Sequence, residues 1–443
     1  MENKAVEICN LGVEEYKNGN IQKALDLFDE AEKLNPKCLE AILNKSSLFL
    51  KEKNYDRALE EAEKALKINA RSYKVLSAEA EVLFAIKEYN KAEKYADLAL
   101  KHSLREVRPM MIKANISSAI NKKAEAEKYY NLILKKEPEN IEAIRNMRSL
   151  VLSANRYSDA EKYAQKAIEI TNDTDDKIAY IYILDNINKQ DAFEYCKEHE
   201  KELINSQYFC LLYAKLSEYL NNFKKAIELY KKIDSEEAKI KIEILSNVNN
   251  IKKLLEFTDK YPNNTDIYKY AFKKAIELKN IKKIDKITDK FISSEIIKKD
   301  KSISTYFGVL LLTYRFFESA KKIFEHEELK EIEQSIFSQS MIYYLHEKDY
   351  IKAEKRIKDA IKLNPTNVTY IGFLLIFLYK SDQLQELSEQ IKNLSEEEKM
   401  QIIENMISIC ENNLALKILN SIETENEIVK KMKEQCLENT KEG

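Results

Sequence analysis

Alanine returns every 34 residues through the first part of this chain, at Ala24, Ala58, Ala92, Ala126 and Ala160. Most of these alanines have an aromatic residue or Ile three places before them, and each has an apolar or aromatic residue four places after. Self-similarity at this period is the mark of stacked helical hairpins, because one hairpin cannot bury its apolar face alone and must share a core with its neighbours. Such a stack builds a surface rather than a catalytic pocket, so the period points to a role in binding proteins.

The first unit shows why the segments should be helical. Ile8, Leu11 and Gly12 are spaced by three and by one, and Ala24, Phe28 and Ala31 by four and three, so each set forms one stripe of a helix. Gly19-Asn20 breaks the chain between the two helices, and Pro36 ends the second. The small residues Gly12, Ser46, Ala80 and Ala114 are expected to let each first helix approach the alanine of the second. Overpacking such a seam costs about 1–3 kcal/mol, so Ala92→Leu should destabilise the array more than Glu93→Leu.

On these residues the chain resembles the tetratricopeptide repeat (TPR) family, whose unit runs W-x-x-L-G-x-x-x-Y, then A-x-x-x-F-x-x-A, then P. The first unit reads Ile8, Leu11-Gly12, Tyr16, Ala24, Phe28, Ala31 and Pro36. The second carries Ile42, Ser46, Phe49, Tyr55, Ala58, Ala62 and Ala65; the third Ala80, Leu83, Tyr89, Ala92, Ala96 and Ala99. The fourth has Ala114, Ala126, Tyr130, Ile133 and Pro138, and the fifth Tyr157, Ala160, Ala164 and Ala167. The chain holds no Trp, so the family's tryptophan is absent throughout. The resemblance implies an all-α fold, an α-solenoid (right-handed superhelix) of tandem TPR and TPR-like helical hairpins.

Beyond residue 170 the pattern loosens, and it suggests four regions. Residues 1–170 hold five regular units; 171–300 hold degenerate hairpins, Lys-rich from 224; 301–395 hold further TPR-like units; 396–443 hold closing helices and a frayed tail from Glu438. Asp173–Asp176 reads as an acidic connector. The period returns at Ala192 and Ala226, and again at Ala320 and Ala353. Lys252-Lys253-Leu254 and Lys282-Lys283-Ile284 mark two second helices, and Leu387 takes the alanine place in the last unit. Ser395-Glu396-Glu397-Glu398 reads as a helix start, its acidic first turn matching the helix dipole.

Composition narrows the function classes. With 5 Gly and 5 Pro in 443 residues, phosphate-cradling loops and β-rich folds are disfavoured, and no G-x-G-x-x-G or Walker pattern occurs. The net charge of −2 sets up no field that would steer the chain to nucleic acid or membrane. His102, His199, His326 and His346 are scattered, and the six cysteines make no C-x-x-C pair. They read as reduced, buried thiols of a cytoplasmic protein. The longest apolar runs, Ile371–Tyr379 and the stretch around Val309–Tyr314, fall short of the ~18–20 residues a bilayer requires. The expectation is a non-enzymatic chain with no catalytic, cofactor-binding or metal-binding residues and no membrane partner.

In the family the first helices of successive units line a concave groove. By spacing, the candidate groove residues here are Asn44, Ser47, Lys74, Glu81, Arg108 and Asn115, mixed in charge. Asn10, Asn44 and Asn146 share one register and could grip a peptide backbone, a ladder interrupted by Ala78 and Ile112. The family's clamp for acidic chaperone tails maps to Cys9, Val13, Asn44, Lys74 and Ala78, of which only Asn44 and Lys74 match, so a chaperone C-terminal tail is not the expected ligand. Residues 224–301 hold 20 Lys against 13 acids, and residues 385–443 hold 13 Glu against 7 Lys. The basic stretch could meet an acidic partner or RNA, yet it lacks Arg and a stacking motif, so nucleic acid is not expected either. The leading expectation is a scaffold or adaptor that binds a protein partner or extended peptide in the groove. The alternatives are a structural subunit docking through its C-terminal repeats, or RNA or acidic-partner binding through the Lys-rich middle.

Overall fold

The computed structural model describes residues 2–103, 105–422 and 427–442. Among these residues every regular element is helical, and the chain divides into two compact units, Met1–Asp234 and Ser235–Gly443. The dividing point falls inside the Lys-rich stretch.

The N-terminal unit is a run of antiparallel helix pairs. The first five are α1 (Glu2–Lys17) with α2 (Ile21–Leu34), α3 (Leu39–Lys51) with α4 (Tyr55–Ile68), α5 (Tyr73–Ala85) with α6 (Tyr89–His102), α7 (Val107–Ala119) with α8 (Lys123–Lys136), and α9 (Ile141–Leu152) with α10 (Tyr157–Thr171). Two less regular pairs follow: α11 (Thr174–Ile187) with α12 (Lys189–Glu198), and, after the short α13 (Glu200–Leu203), α14 (Gln207–Tyr219) with α15 (Phe223–Tyr230).

The alanines sit where the helices of a pair come closest. Ala24, Ala58, Ala92, Ala126 and Ala160 are all 0 % exposed. In the first four pairs the first helix also carries a small residue there, Gly12, Ser46, Ala80 or Ala114, whereas the fifth has Arg148; the residue four places after the alanine is large against Gly12 and small against Ser46. A Cβ added to Gly12 would lie 2.6 Å from Phe28 Cε1 and 3.3 Å from the Ala24 carbonyl oxygen. Where the first helix carries Ser46, the partner shrinks to Ala62, and the Ser46 hydroxyl donates to the Ala58 carbonyl oxygen at 2.9 Å. The glycine–phenylalanine solution is used again in the second unit, where a Cβ on Gly308 would lie 2.7 Å from the Phe324 ring.

A second 34-residue period lies in the turns within the hairpins. Gly19, Lys53, Lys87, Asn121 and Asn155 all have left-handed backbone, with φ of 83, 59, 66, 62 and 57°. The residue after each donates its N–H back to the first helix, as from Asn54 to the Phe49 carbonyl at 2.8 Å and from Glu88 to the Leu83 carbonyl at 2.9 Å. These are helix stops of the kind that glycine favours, and the chain places glycine in only the first of them.

The C-terminal unit continues the hairpin pattern with shorter, less regular helices. It comprises α16 (Glu236–Leu245), α17 (Ile251–Lys260), α18 (Thr265–Glu277), α19 (Ile281–Ile292), α20 (Ile296–Lys299), α21 (Lys301–Thr313), α22 (Phe317–Phe324) and α23 (Glu333–Ile342). A π-turn, Tyr343–Glu347, extends α23 before α24 (Tyr350–Leu363). There follow α25 (Val368–Lys380), α26 (Leu384–Asn393), α27 (Glu396–Ser408), α28 (Asn412–Leu419) and α29 (Glu427–Glu442). The alanine place is filled by fully buried Ala320, Ala353, Leu387 and Ala415. The expected start at Ser395 is a capping box: the Ser395 hydroxyl accepts from the Glu398 N–H while the Glu398 carboxylate accepts from the Ser395 N–H. The apolar run Ile371–Tyr379 lies in α25, where Leu375, Phe377 and Leu378 are fully buried. No helix among the described residues is long and apolar enough to cross a membrane.

Several expectations change. Leu11, placed on the helical stripe with Ile8 and Gly12, is 51 % exposed, whereas Lys45, Glu79, Lys113 and Met147 at the same register are buried. Asp173–Asp176 is no connector but the start of α11, where Asp173 caps the helix and Asp176 is buried against Arg145 and Arg148. Residues 438–442, expected to fray, continue α29, which Cys436 anchors by complete burial; Gly443 lies outside the described residues. All six cysteines are free, five of them buried, but Cys410 is exposed in a left-handed turn at φ 63°.

Glu93 is likewise no bystander: it binds Lys113 at 3.0 Å and Lys122 at 2.6 Å. Its replacement by Leu would leave Lys113 short of a partner, so exposed Lys94 is the proper comparison for the seam. Ala92→Leu should lower stability by about 1–3 kcal/mol, with Lys94→Leu within about 0.5 kcal/mol of the wild type. Equal melting curves for the two variants would contradict the packing described here. The left-handed turns yield the opposite sign. Lys87→Gly should stabilise by about 0.5–1 kcal/mol, since glycine bears no Cβ penalty at φ 66°. A urea titration that finds Lys87→Gly less stable than wild type would refute this.

Candidate functional site: a hollow on the first helices of the N-terminal unit

The site follows from the 34-residue period. Residues one period apart on successive first helices form columns along a shared face. One column runs Leu50, Phe84, Ser118; a second Ser47, Glu81, Asn115, Ser149; a third Lys74, Arg108, Glu142. Between α3, α5, α7 and α9 these columns enclose a hollow of about 550 Å³, within the ~300–1,000 Å³ typical of ligand pockets. A shallower one of about 420 Å³ adjoins it, and the two share Phe84, Asn115 and Glu142.

The floor of the larger hollow is apolar, formed by Leu50, Phe84, Val107, Met111 and Ile112. The rim is polar. Arg108 donates twice to Glu81, from Nε at 2.9 Å and from Nη2 at 2.6 Å. This forked hydrogen bond fixes both side chains and raises the guanidinium pKa, against the opposing effect of burial. At the far end Glu137 accepts from the Asn140 amide at 2.7 Å, and the Asn140 carbonyl oxygen caps α9 through the Ala143 N–H at 3.0 Å. In the shallower hollow, the Asn115 carbonyl oxygen receives the Tyr130 hydroxyl at 2.6 Å and the Asn146 amide at 3.0 Å. Burial, with the nearby Glu142 charge, pushes the Tyr130 phenol up to about 12, so it stays a donor at neutral pH.

Of the six residues picked by spacing, the structure brings Glu81, Arg108 and Asn115 together in this hollow. Asn44, Ser47 and Lys74 lie outside it. Asn44 is turned inward, its amide donating to the Cys9 thiol at 3.3 Å. Asn146 likewise donates to a neighbouring helix, so at these two places the asparagine ladder joins hairpins to each other, while Asn10 is exposed. At the clamp positions Cys9 and Ala78 are buried, and burial pushes the Cys9 thiol up. Sequence reasoning missed the apolar floor and Glu142. The column of Lys74 and Arg108 reaches Glu142 one period on, a signal that was available.

Another column concerns stability. Leu11, Lys45, Glu79, Lys113 and Met147 share one register. Lys45 sits among Asp29 at 2.8 Å, Glu61 at 2.9 Å and Glu32 at 3.0 Å. Two periods on, Lys113 sits among Asp97 at 2.7 Å, Glu93 at 3.0 Å and Glu125 at 3.5 Å. Burial pulls both ammonium groups down, but these carboxylates outweigh it and raise them. Between the two lysines the same place holds Glu79, 4 % exposed, with a buried Oε2 that has no hydrogen-bond partner. Burial, reinforced by the charge of Glu63, pushes its carboxyl up to about 7.

The sequence model of the tetratricopeptide repeat family matches residues 9–74. That match places tetratricopeptide repeats in the first two hairpins, and similar helical hairpins follow beyond it. No curated protein matches it. Similar solved structures include PilW, a type IV pilus biogenesis factor, at 20 % identity and TM-score 0.44 over 46 % of this chain and 96 % of that one. A thermophilic TPR protein from Thermus thermophilus is similar at 22 % identity and TM-score 0.38, over 41 % of this chain and 98 % of that one. A chain of the Naa15/Naa10 complex bound to HypK-THB is similar at 14 % identity and TM-score 0.32, over 94 % of this chain and 68 % of that one.

The Glu79 carboxyl has a pKa above its unfolded value, so stability should fall as pH rises from about 4.5 to about 7, where the unfolded chain ionises first. Glu79→Gln should remove this slope and gain on the order of 1–3 kcal/mol at pH 8 relative to wild type. Urea titrations at pH 5 and pH 8 that give the variant and wild type the same pH dependence would overturn the assignment.

Proposed function

We propose that this chain is a non-enzymatic scaffold that holds an extended segment of a partner protein in the hollow of its N-terminal unit. The observation that carries this reading is the hollow itself. An apolar floor, a rim of amides and carboxylates and a fixed Glu81–Arg108 pair are the equipment of recognition, set on rigid helices. The groove role first assigned to Asn44, Ser47 and Lys74 passes in this reading to Phe84, Met111 and Glu142, while Glu81, Arg108 and Asn115 keep theirs. The six free thiols support a cytoplasmic setting, where cysteines stay reduced.

A second reading rests on a different observation. At or beside the turns within the hairpins, the C-terminal unit carries exposed apolar side chains: Leu278, Tyr314 and Ile409 at helix ends, and Ile351 and Leu384 in the first turns of α24 and α26. Exposed apolar residues repeated at successive turns support docking of this unit into a larger assembly. The Lys-rich stretch lends less support to RNA, because its lysines pair with nearby acids, as Lys241 with Asp266, Lys260 with Glu243 and Lys290 with Asp259.

Photocrosslinking distinguishes the two. With benzoylphenylalanine replacing Ser118, which lines the shallower hollow adjoining the site, the expected product in native cells is one partner segment, identified by mass spectrometry. The same probe replacing Ile351 should give no specific product. Crosslinks from position 351 and none from 118 would favour the assembly-subunit reading and remove the groove reading.

A further inference from the structure

We propose that the occupant of the hollow is an extended peptide carrying a lysine or arginine beside a large apolar residue. This rests on the groove reading above and adds the ligand's chemistry. The charge lining the larger hollow is unbalanced: Glu81, Glu137 and Glu142 face a single cation, Arg108. That cation is already committed to Glu81 through two hydrogen bonds at 2.9 and 2.6 Å. An incoming carboxylate would have to compete with Glu81 and approach Glu142 and Glu137 as well, so an acidic ligand is opposed. Among the described residues the Glu137 carboxylate is engaged only by the neutral amide of Asn140. Glu142, which lines both hollows, forms no ion pair among the described residues. It is therefore the carboxylate that a ligand cation would meet.

The remaining features fit the same ligand. The floor of Phe84, Met111 and Ile112 offers contact to a large apolar side chain. The Asn115 carbonyl oxygen is taken by Tyr130 and Asn146, which leaves its Nδ2 donor for a peptide carbonyl. A side-chain amide donor, an apolar floor and a carboxylate within one hollow specify three consecutive features of an extended chain. The attraction of a basic residue to rim carboxylates is long-ranged and screened by salt, so it should set both encounter rate and ionic-strength dependence.

The test is a selection from a random ten-residue phage-displayed peptide library on the full-length chain, with the enriched peptides resynthesised with fluorescein for anisotropy. Enriched sequences should place Lys or Arg next to Leu, Met, Phe or Ile. Glu142→Lys should weaken them at least tenfold, Glu142→Gln by about threefold, and added salt should weaken wild-type binding. The variant Ala85→Arg, which puts a long side chain into the hollow, should abolish binding while its thermal melt stays near wild type. Enrichment of acidic or uncharged peptides that ignore Glu142→Lys yet are lost in Ala85→Arg would overturn the basic-ligand inference and leave the groove reading standing. No enrichment, or peptides indifferent to Ala85→Arg, would overturn both.

Discussion

The close approach of two helices at a methyl group is the constraint on which everything else in this chain depends. At Ala24 and its repeats in the N-terminal unit the methyl group is fully buried, and in the first pair the facing helix brings Gly12 close to the Ala24 carbonyl oxygen. That approach fixes the axial register of each pair. Once the register is fixed, every position of the first helix recurs at the same height one period later, and columns such as Leu50, Phe84 and Ser118 become continuous features of one face. The hollow is thus a consequence of the seam: loosen the seam and the columns drift out of line. Matched substitution, large against small, preserves the spacing where the residues change, as Phe28 against Gly12 and Ala62 against Ser46.

Most of the hairpin pattern was legible in the sequence because packing at the seam tolerates few residue types. Ala, Gly and Ser recur there for a steric reason, and a steric reason leaves a visible period. Beyond the break read at Gly19-Asn20, the turns were not legible, for the opposite cause. Left-handed backbone occurs at Gly19, Lys53, Lys87, Asn121 and Asn155, yet at the last four the side chains are exposed, and a cost of roughly 1 kcal/mol at each is borne without selecting glycine. The constraint acts on the backbone, so the letters do not repeat. Leu11 was misread for a related reason. Its spacing is that of a core residue, but burial in a repeat array comes from the neighbouring unit, which letters within one unit do not show.

The charge column separates the two kinds of information further. Lys45 and Lys113 are buried because acids from the preceding and following second helices converge on them. The relation of Lys45 to Asp29 is that of Lys113 to Asp97, and one period between them the same geometry places Glu79 near Glu63. A repeat fold therefore imposes its contacts whether or not the charges agree. In two hairpins the pair is attractive and in the third it is repulsive, and no composition or net charge would have revealed it. The same reasoning explains why Glu93 could be mistaken for a solvated residue: it lies beside Ala92 in sequence but serves a lysine on the next first helix.

The candidate site was half legible, and the missing half is instructive about recognition by arrays. Spacing alone identified Glu81, Arg108 and Asn115, which lie on the exposed side of their helices. It could not say which of the equivalent positions face a void and which are drawn into contacts between hairpins, as Asn44 is by Cys9. That choice depends on neighbours one period away. Arg108 is neutralised by Glu81 on the preceding first helix, whereas one period on, Glu142 has Asn115 in the equivalent place, which offers no charge. A strictly periodic array would neutralise each charge in the same way and present a uniform face. The breaks in the columns, rather than their regularity, are what create an unbalanced carboxylate over an apolar floor, and hence a place where one ligand chemistry is preferred to another.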